Sequence, residues 1–217
     1  MGEKHFVRGS SFGELQRWGD EDSVEVMLIT CTDPSLDFSL LSEFRSVPLL
    51  LWRCPGVVVP PYGKAGPEVE QILEHAVNDL GVREIVVCGH LPNERLRAFL
   101  AEQEGAEQEA DPSGRALRSI CHVVRAKCGH LAPDQLLQTI VEENVLLQAA
   151  NLRTYPAVLA AVVRGQLQIH TWIYDLEHEV LYVRGSKNSL LLNRSRRFVP
   201  PPRRLLPSYD PCDIYLA

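Results

Sequence analysis

The sequence lacks the features that would place the protein in a membrane or outside the cell. No apolar run approaches the roughly 20 residues that a helix needs to cross a bilayer. The start of the chain, MGEKHFVRGSSF, has no apolar core of the kind found in signal peptides. Phe6 stands where N-myristoylation after Met-Gly needs a serine or threonine. We therefore expect a cytoplasmic protein that does not act at a membrane.

A net positive charge and a regular cysteine pattern are also missing. The formal net charge is −6, and a general nucleic-acid-binding protein needs a basic surface to neutralise phosphates. We therefore expect no nucleic-acid partner. The six cysteines among 217 residues have neither the density nor the spacing of a disulfide scaffold. They are expected to be reduced thiols that serve as core residues or as ligands.

Length and composition favour one domain with two appendages. The chain has 217 residues, 45% of them hydrophobic, which suffices for one sizeable core. We place an N-terminal arm at residues 1–23, the main domain at residues 24–185 and a basic, proline-rich tail at residues 186–217. The tail has six basic and two acidic residues, about +4, which leaves about −10 for the rest of the net charge of −6. Its basic residues are Lys187, Arg194, Arg196, Arg197, Arg203 and Arg204. The tail could bind an unidentified protein or simply remain solvated.

The hydrophobic pattern predicts an α/β fold with a mostly parallel β-sheet flanked by helices. Three apolar runs, VEVMLITC, VPLLLWRC and REIVVCGH, are short and rich in branched residues, as is typical of strands buried on both faces. A helical pattern at residues 66–81 separates the second run from the third. Strand, helix and strand in this order indicate a right-handed parallel crossover.

Later segments extend the same pattern. Residues 132–165 predict two helices that break before Pro156, with Asp134 as the N-cap of the first. Residues 166–185 alternate as strands do, with a turn near residues 177–179. The acidic stretch at residues 102–111 predicts a mobile loop. No internal repeat is visible in the sequence.

Chemically reactive side chains stand at the ends of the three apolar runs. The runs end at Cys31, Cys54 and His90, and the carboxyl ends of parallel strands form the ligand crevice of an open sheet. Thiolate and imidazole are ligands that zinc prefers. However, a cysteine there can equally be a small buried hydrophobe, and a histidine can be a hydrogen-bonded core residue. The spacing alone leaves both interpretations open.

Five blocks in series resemble the β-class carbonic anhydrases. They are CTD at residues 31–33, WRCPG at 52–56, EHAVNDLGVREIVVCGH at 74–90, EENV at 142–145 and IHTWIYDLE at 169–177. The blocks follow the family's order and cover roughly residues 24–183. The resemblance implies the β-carbonic-anhydrase fold, a zinc cofactor, the chemistry of carbon dioxide and bicarbonate, and a homodimer or higher oligomer.

The resemblance also implies site residues, and two of them are altered. Cys31 and His90 match zinc ligands of the family, and Asp33 matches the acid of its Asp-Arg dyad. Ser35 stands at the position of the dyad arginine, and Asn93 stands at the position of the third ligand, a cysteine. A neutral amide is a poor substitute for thiolate. We therefore expect a degenerate site with weak or no activity, as in a pseudoenzyme.

Two alternatives stay open. Cys54 replaces the asparagine of the family's Arg-Asn-Ala-Gly motif, and neighbouring strands lie about 4.8 Å apart, so this thiol could approach a metal beside Cys31. The first alternative is thus an active zinc lyase with a non-standard ligand set. Its metal ligands would be Cys31, His90 and either Cys54 or Asp33. The second alternative is a small-anion-binding or assembly subunit.

Overall fold

One eight-stranded sheet runs through the computed structural model, which describes residues 6–10, 13–18, 24–33, 36, 48–101, 112–184 and 203–205. The strands are β1 (Phe6–Ser10), β2 (Gly13–Trp18), β3 (Val26–Thr30), β4 (Leu49–Arg53), β5 (Glu84–Leu91), β6 (Gln168–Asp175), β7 (Val180–Arg184) and β8 (Arg203–Leu205). Their order is β1-β2-β4-β3-β5-β6-β7-β8. The central four are parallel, β1-β2, β2-β4 and β6-β7 are antiparallel, and β7-β8 is parallel.

The centre of the sheet is buried on both faces. Every residue of β3 is buried, as are all residues of β4 except Arg53 and all residues of β5 except Leu91. Continuous burial explains why these strands are continuous apolar runs in the sequence. The predicted strands and the predicted α/β class with a largely parallel sheet are confirmed.

Helices cover the faces of the sheet. They are α1 (Pro67–Glu74), α2 (Glu94–Ala101), α3 (Pro112–Cys128), α4 (Pro133–Leu152) and α5 (Pro156–Val163). A π-helical turn, His75–Asp79, continues α1, and a short 3-10 helix, Pro55–Val57, follows β4. Among the described residues no single helix is long and apolar enough to cross a membrane, and only the pair α4 and α5, bent by 89°, passes that test.

The predicted N-cap of α4 is wrong by two residues. Ala132 is the N-cap, with an extended backbone, and Pro133 occupies the first helical position. Proline is favoured there because its fixed φ suits the helix and its missing N–H would have no helical partner. Asp134 therefore lies in the first turn, where its negative charge interacts favourably with the helix dipole. The predicted break before Pro156 and the turn between β6 and β7 are confirmed.

Both predicted appendages contribute strands to the sheet. The arm supplies β1 and β2, and β2 pairs with β4. The tail supplies β8, which pairs with β7. The domain boundaries after residues 23 and 185 remain predictions. The predicted mobile loop at 102–111, Ser35 and the tail apart from residues 203–205 lie outside the described residues.

The strand order reverses at β3. The chain passes from β3 to β4 on one side and then, through α1, to β5 on the other side. In open α/β sheets ligands bind beyond the carboxyl ends of the strands at this type of reversal. The fold therefore directs attention to the residues that follow β3 and β4 and to the last residues of β5.

Candidate active site at the strand ends

Three of the predicted site residues lie at the carboxyl ends of neighbouring strands. Cys31 follows β3 directly and is 8% exposed, whereas His90 is the penultimate residue of β5 and is 1% exposed. Cys54 follows β4 and is fully buried. The backbone N–H of Cys54 donates a hydrogen bond to the carbonyl of Thr30, at 2.9 Å. The parallel register thus continues past the ends of both strands.

Cys31 is the thiol whose environment favours a negative charge. Burial raises its pKa, but hydrogen bonding and charge interaction with His90 lower it, as do backbone hydrogen bonds from Asp33 and Gly56. The lowering effects win, and the net pKa of Cys31 lies below its ordinary value of 9.0. Hydrogen-bond donors that face the sulfur stabilise the thiolate relative to the thiol.

Asn93 occupies the space next to the imidazole of His90. Asn93 is 7% exposed, and its Oδ1 accepts a hydrogen bond from the backbone N–H of Leu96 at 3.0 Å. This bond caps the N-terminus of α2. The Nδ2 of the same amide lies 3.2 Å from His90 Nε2. The two nitrogen atoms lie within hydrogen-bond distance of each other. His90 Nδ1 is buried and has no hydrogen-bond partner.

Asp33 lies at the mouth of the site. Its Oδ2 is 3.9 Å from His90 Nε2, and its side chain is 33% exposed. Arg53, from the end of β4, donates from its guanidinium to the carbonyl oxygens of Thr32, at 3.0 Å, and Asp33, at 3.4 Å. Arg53 therefore holds the backbone that follows Cys31. The sequence interpretation assigned no role to Arg53, although the residue lies within the WRCPG block.

The described side chains do not fit a zinc ion in their present arrangement. Cys54 is fully buried, and burial together with the neighbouring charge of Cys31 raises its pKa above the ordinary value of 9.0. The Nδ2 of Asn93, which has no lone pair to offer, faces His90 Nε2. Within the described part of the chain, no group of three or more His, Cys, Asp or Glu side chains is arranged to hold a metal ion.

A row of amides on α4, two of them buried and one half-buried, supports the segment that follows β4. Gln148 Oε1 accepts a hydrogen bond from the backbone N–H of Val59 at 3.0 Å. Asn144 Nδ2 donates to the carbonyl of Gly56 at 2.9 Å, and Asn151 Nδ2 donates to the carbonyl of Val59 at 2.9 Å. Gln148 Nε2 also donates to Asn144 Oδ1 at 2.8 Å. We call Asn144, Gln148 and Asn151 the amide ladder.

Gly56 connects the amide ladder to the site. Its backbone forms one of the hydrogen bonds that favour the Cys31 thiolate, while its carbonyl accepts from Asn144. Its φ is +66°, and a Cβ built there would lie 2.4 Å from Leu117 Cδ1. A glycine is needed for both reasons. The sequence interpretation missed the ladder, although amides at positions i, i+4 and i+7, on one face of the helix, were a visible signal.

Gly89 sets the contact between α4 and β5 immediately before His90. A Cβ at Gly89 would lie 2.9 Å from Cγ1 of Val141 and 2.9 Å from Cγ1 of Val145. Both valines belong to α4. The helix therefore rests directly on the strand backbone at this point, and the amide ladder and His90 are positioned by the same contact.

Comparison with known proteins agrees with this fold. A family model described as carbonic anhydrase matches residues 26–181. A carbonic anhydrase of a Synechocystis species is 30% identical over 198 residues, which cover 85% of this chain and 72% of the relative. A carbonic anhydrase of Pseudomonas aeruginosa is 32% identical over 175 residues, covering 81% of this chain and 76% of the relative.

Solved structures identify the class within that family. The structure of the β-carbonic anhydrase CcaA has a TM-score of 0.67 and 27% identity, and it covers 76% of this chain and 81% of that protein. A tetrameric β-carbonic anhydrase of Sordaria macrospora has the same fold, with a TM-score of 0.65 and 17% identity over 78% of this chain and 84% of that one. The fold and the Cys/His strand ends thus define an α/β protein of β-carbonic-anhydrase type. The chain belongs to the carbonic anhydrase family, in its β class.

Proposed function

We propose that this protein is a β-carbonic-anhydrase homologue in which zinc-dependent hydration of carbon dioxide to bicarbonate is weak or absent. The observation that carries the proposal is the amide of Asn93. Its oxygen is engaged by the N-terminus of α2, and its NH₂ group faces His90 Nε2 at 3.2 Å. A zinc ion would have to compete with this hydrogen bond for the imidazole nitrogen and would gain no third protein ligand in return.

The remaining residues of the site favour a negative charge on Cys31 without a metal ion. Backbone hydrogen bonds from Gly56 and Asp33, together with His90, favour the Cys31 thiolate. The carboxylate of Asp33 lies at the opening, 3.9 Å from His90 Nε2. Ser35 would leave that carboxylate without the arginine that family members use at this position. The two changes act on different parts of the family site, on metal binding and on the dyad, so both reduce the activity.

The proposal includes the setting in which the protein works. We propose a cytoplasmic homodimer or higher oligomer, because the fold is that of β-carbonic anhydrases and the Sordaria macrospora protein is tetrameric. Carbon dioxide or bicarbonate is the proposed ligand class. An active zinc lyase that uses Cys54 or Asp33 as the third ligand is the competing proposal. Within the described residues, no three His, Cys, Asp or Glu side chains are arranged to hold a metal ion, which counts against it.

Restoring the family residues tests the proposal. The double variant Asn93→Cys, Ser35→Arg returns the third ligand and the dyad cation, and Asn93→Ser is the matched control because serine can cap α2 but does not ligate zinc well. Zinc content per chain is measured by inductively coupled plasma mass spectrometry, and carbon dioxide hydration by stopped flow. We expect the double variant to bind zinc at least about 100-fold more tightly than the parent or Asn93→Ser, because a direct ligand should contribute at least as much as the hydrogen-bond partners of ligands, whose loss costs about 10- to 100-fold. We also expect it to gain hydration activity.

A parent protein with one zinc per chain and hydration equal to that of the double variant would overturn the proposal. The Cys54→Ala variant then identifies the reason. Loss of zinc from that variant would establish Cys54 as the third ligand, whereas retention of zinc would direct the search to Asp33.

A further inference from the structure

Cys31 and Cys54 are neighbours across two parallel strands. The last register pair of β3 and β4 is Thr30 with Arg53, and the hydrogen bond from the Cys54 N–H to the Thr30 carbonyl carries the pairing one residue further. Cys31 therefore lies beside Cys54. Paired residues of adjacent strands are about 4.8 Å apart, which lies within the roughly 4.4–6.8 Å between Cα atoms that a disulfide spans.

The surroundings of the two sulfur atoms differ in a way that suits sequential chemistry. Cys31 is buried but keeps 8% of its surface exposed, whereas Cys54 is fully buried. Both thiols are reduced in the structure. An oxidant from solution can thus reach Cys31 first, with Cys54 adjacent to it.

The other described cysteines do not form such a pair with either residue. Cys88 lies on β5, is fully buried, and its thiol hydrogen-bonds the carbonyl of Gly89 at 3.4 Å. Cys121 and Cys128 belong to α3 and are buried in the core. Among the described cysteines, only Cys31 and Cys54 lie next to each other in the strand register.

We propose that Cys31 and Cys54 form a redox-responsive dithiol, which a small-molecule disulfide such as glutathione disulfide converts to an intramolecular Cys31–Cys54 disulfide. The inference rests on the proposed function, because a zinc ion bound to Cys31 would block the reaction. The family motif has asparagine at the position of Cys54. Family members that follow the motif therefore lack the second thiol.

The reaction is a two-step thiol–disulfide exchange. The Cys31 thiolate attacks one sulfur of glutathione disulfide, which forms a Cys31–glutathione mixed disulfide and releases one glutathione thiolate. Cys54 then loses its proton to that thiolate or to water, and its sulfur attacks the Cys31 sulfur, which releases the second glutathione thiolate. The dithiol is oxidised by two electrons and one disulfide is reduced to two thiols. Excess reduced glutathione reverses both steps.

Closure would change the site that the strand ends form. The sulfur of Cys31 now interacts with His90 and with the backbone of Gly56. A bond to Cys54 would remove the thiolate from these interactions and leave His90 with Asn93 and Asp33 as neighbours. The disulfide form would therefore be unable to offer Cys31 to a metal or to an electrophile. Oxidation state would set which form of the pocket is present.

The experiment combines metal analysis with disulfide mapping on the full-length protein. Protein purified under reducing conditions without chelator is first assayed for zinc by inductively coupled plasma mass spectrometry. It is then equilibrated with glutathione disulfide, its remaining thiols are alkylated, and it is digested and mapped by mass spectrometry. We expect a peptide pair joined through Cys31 and Cys54, formed in most molecules and reversed by reduced glutathione.

Three variants serve as controls. Cys54→Asn, which restores the family residue, should keep the mixed disulfide between Cys31 and glutathione and form no internal link. Cys88→Ala removes a buried thiol on the other neighbour of β3 and should leave the Cys31–Cys54 link unchanged. Cys212→Ser removes the cysteine outside the described residues and should also leave it unchanged. Each variant is checked for the parent's circular dichroism spectrum.

The outcomes separate the two proposals. Zinc at one ion per chain in the reduced protein would overturn the proposed function and, with it, the dithiol. Zinc-free protein in which Cys31 is oxidised but links to another cysteine or to glutathione alone would overturn the dithiol and leave the proposed function standing. Zinc-free protein with the Cys31–Cys54 link in the parent and its absence from Cys54→Asn would support both.

Discussion

The strand ends that form the site, which we call the rim, differ from the supporting helix α4 in how completely their buried polar groups are hydrogen-bonded. On α4, the amides of Asn144 and Gln148 are buried, and each makes hydrogen bonds with both its oxygen and its nitrogen. At the rim, His90 is equally buried, yet its Nδ1 has no hydrogen-bond partner and its Nε2 faces the NH₂ group of Asn93. Fully paired buried groups stabilise one structure, whereas partly paired ones cost free energy.

The support and the chemistry of the fold depend on different side chains, and the two meet at the backbone of Gly56. The amide ladder fixes the segment that starts at Gly56 and needs neither Cys31 nor a metal to do so. Substitutions at the metal-ligand positions can therefore accumulate without loss of the architecture. Fold membership and catalytic competence are distinct properties for this reason.

The largest expected effect comes from Gly56→Ala, because the backbone of Gly56 binds both the amide ladder and Cys31. The new Cβ would lie 2.4 Å from Leu117 Cδ1, at a backbone φ of +66°. Overpacking and left-handed strain together should lower the free energy of unfolding by about 3 kcal/mol. Urea unfolding measures the loss. Gly63→Ala is the matched control, because its φ is +75° but no atom lies within 4 Å of its Cβ. Its cost should be only about 1 kcal/mol, and equal costs would show that the contact with Leu117 is unimportant.

A smaller effect is expected from Gln148→Leu, which interrupts the ladder in its middle. The change leaves the buried N–H of Val59 without its acceptor, and removes the donor to Asn144 Oδ1. Unsatisfied buried groups of this kind should cost about 2 kcal/mol in unfolding free energy. Gln135→Leu, on an exposed position of the same helix, should change stability by less than about 0.5 kcal/mol. A neutral Gln148→Leu would mean that the ladder does not support the segment.

The smallest effect is expected from Tyr155→Phe, at the far end of the supported segment. The Tyr155 hydroxyl donates to the carbonyl of Pro60 at 2.6 Å, and its loss should cost about 1 kcal/mol. Burial, and to a lesser extent the charge of Glu70, raises the pKa of Tyr155 from 10.0 to about 12. The folded protein keeps the phenol proton where the unfolded chain releases it, so this stability is complete below pH 10.0 and is lost as pH rises toward about 12.

Unfolding free energies of Tyr155→Phe and the parent, measured across this alkaline range, test the assignment. The difference between the two proteins should shrink as pH rises, because the phenylalanine variant has no phenol to ionise. Tyr62→Phe is the control, since Tyr62 is 49% exposed. A parent–variant difference that stays constant with pH would show that Tyr155 does not carry the linkage.

The central strands could be predicted from the sequence because burial on both faces leaves a simple local signature. The arm was harder, since β1 and β2 join the edge of the sheet and lack a continuous apolar run. The cap of α4 was wrongly placed on Asp134 because a proline at the first helical position moved the start of the helix to Ala132. Edges and termini depend on single residues, whereas buried strands are specified by many.

The site could be predicted only as a set of positions. Sequence order placed Cys31, Cys54 and His90 at strand ends, and the structure brings these ends together. The direction in which the Asn93 amide points could not be predicted, because it depends on where α2 begins and on which atom caps it. The amide ladder joins residues about 90 positions apart, at separations of 88 to 92, and no local pattern specifies such partners.

The direct contact of α4 with Gly89 links the distance between this helix and the sheet to the geometry of the site. The helix sits at a spacing set by the bare backbone of β5, where a Cβ would approach Val141 and Val145 to 2.9 Å. A methyl group at residue 89 would push the helix away from the sheet. Because Asn144 of the ladder binds the carbonyl of Gly56, this displacement of the helix would also shift Gly56. The backbone hydrogen bond from Gly56 to Cys31 would change with it. The spacing of α4 and β5 next to His90 thus depends on the absence of a side chain at residue 89.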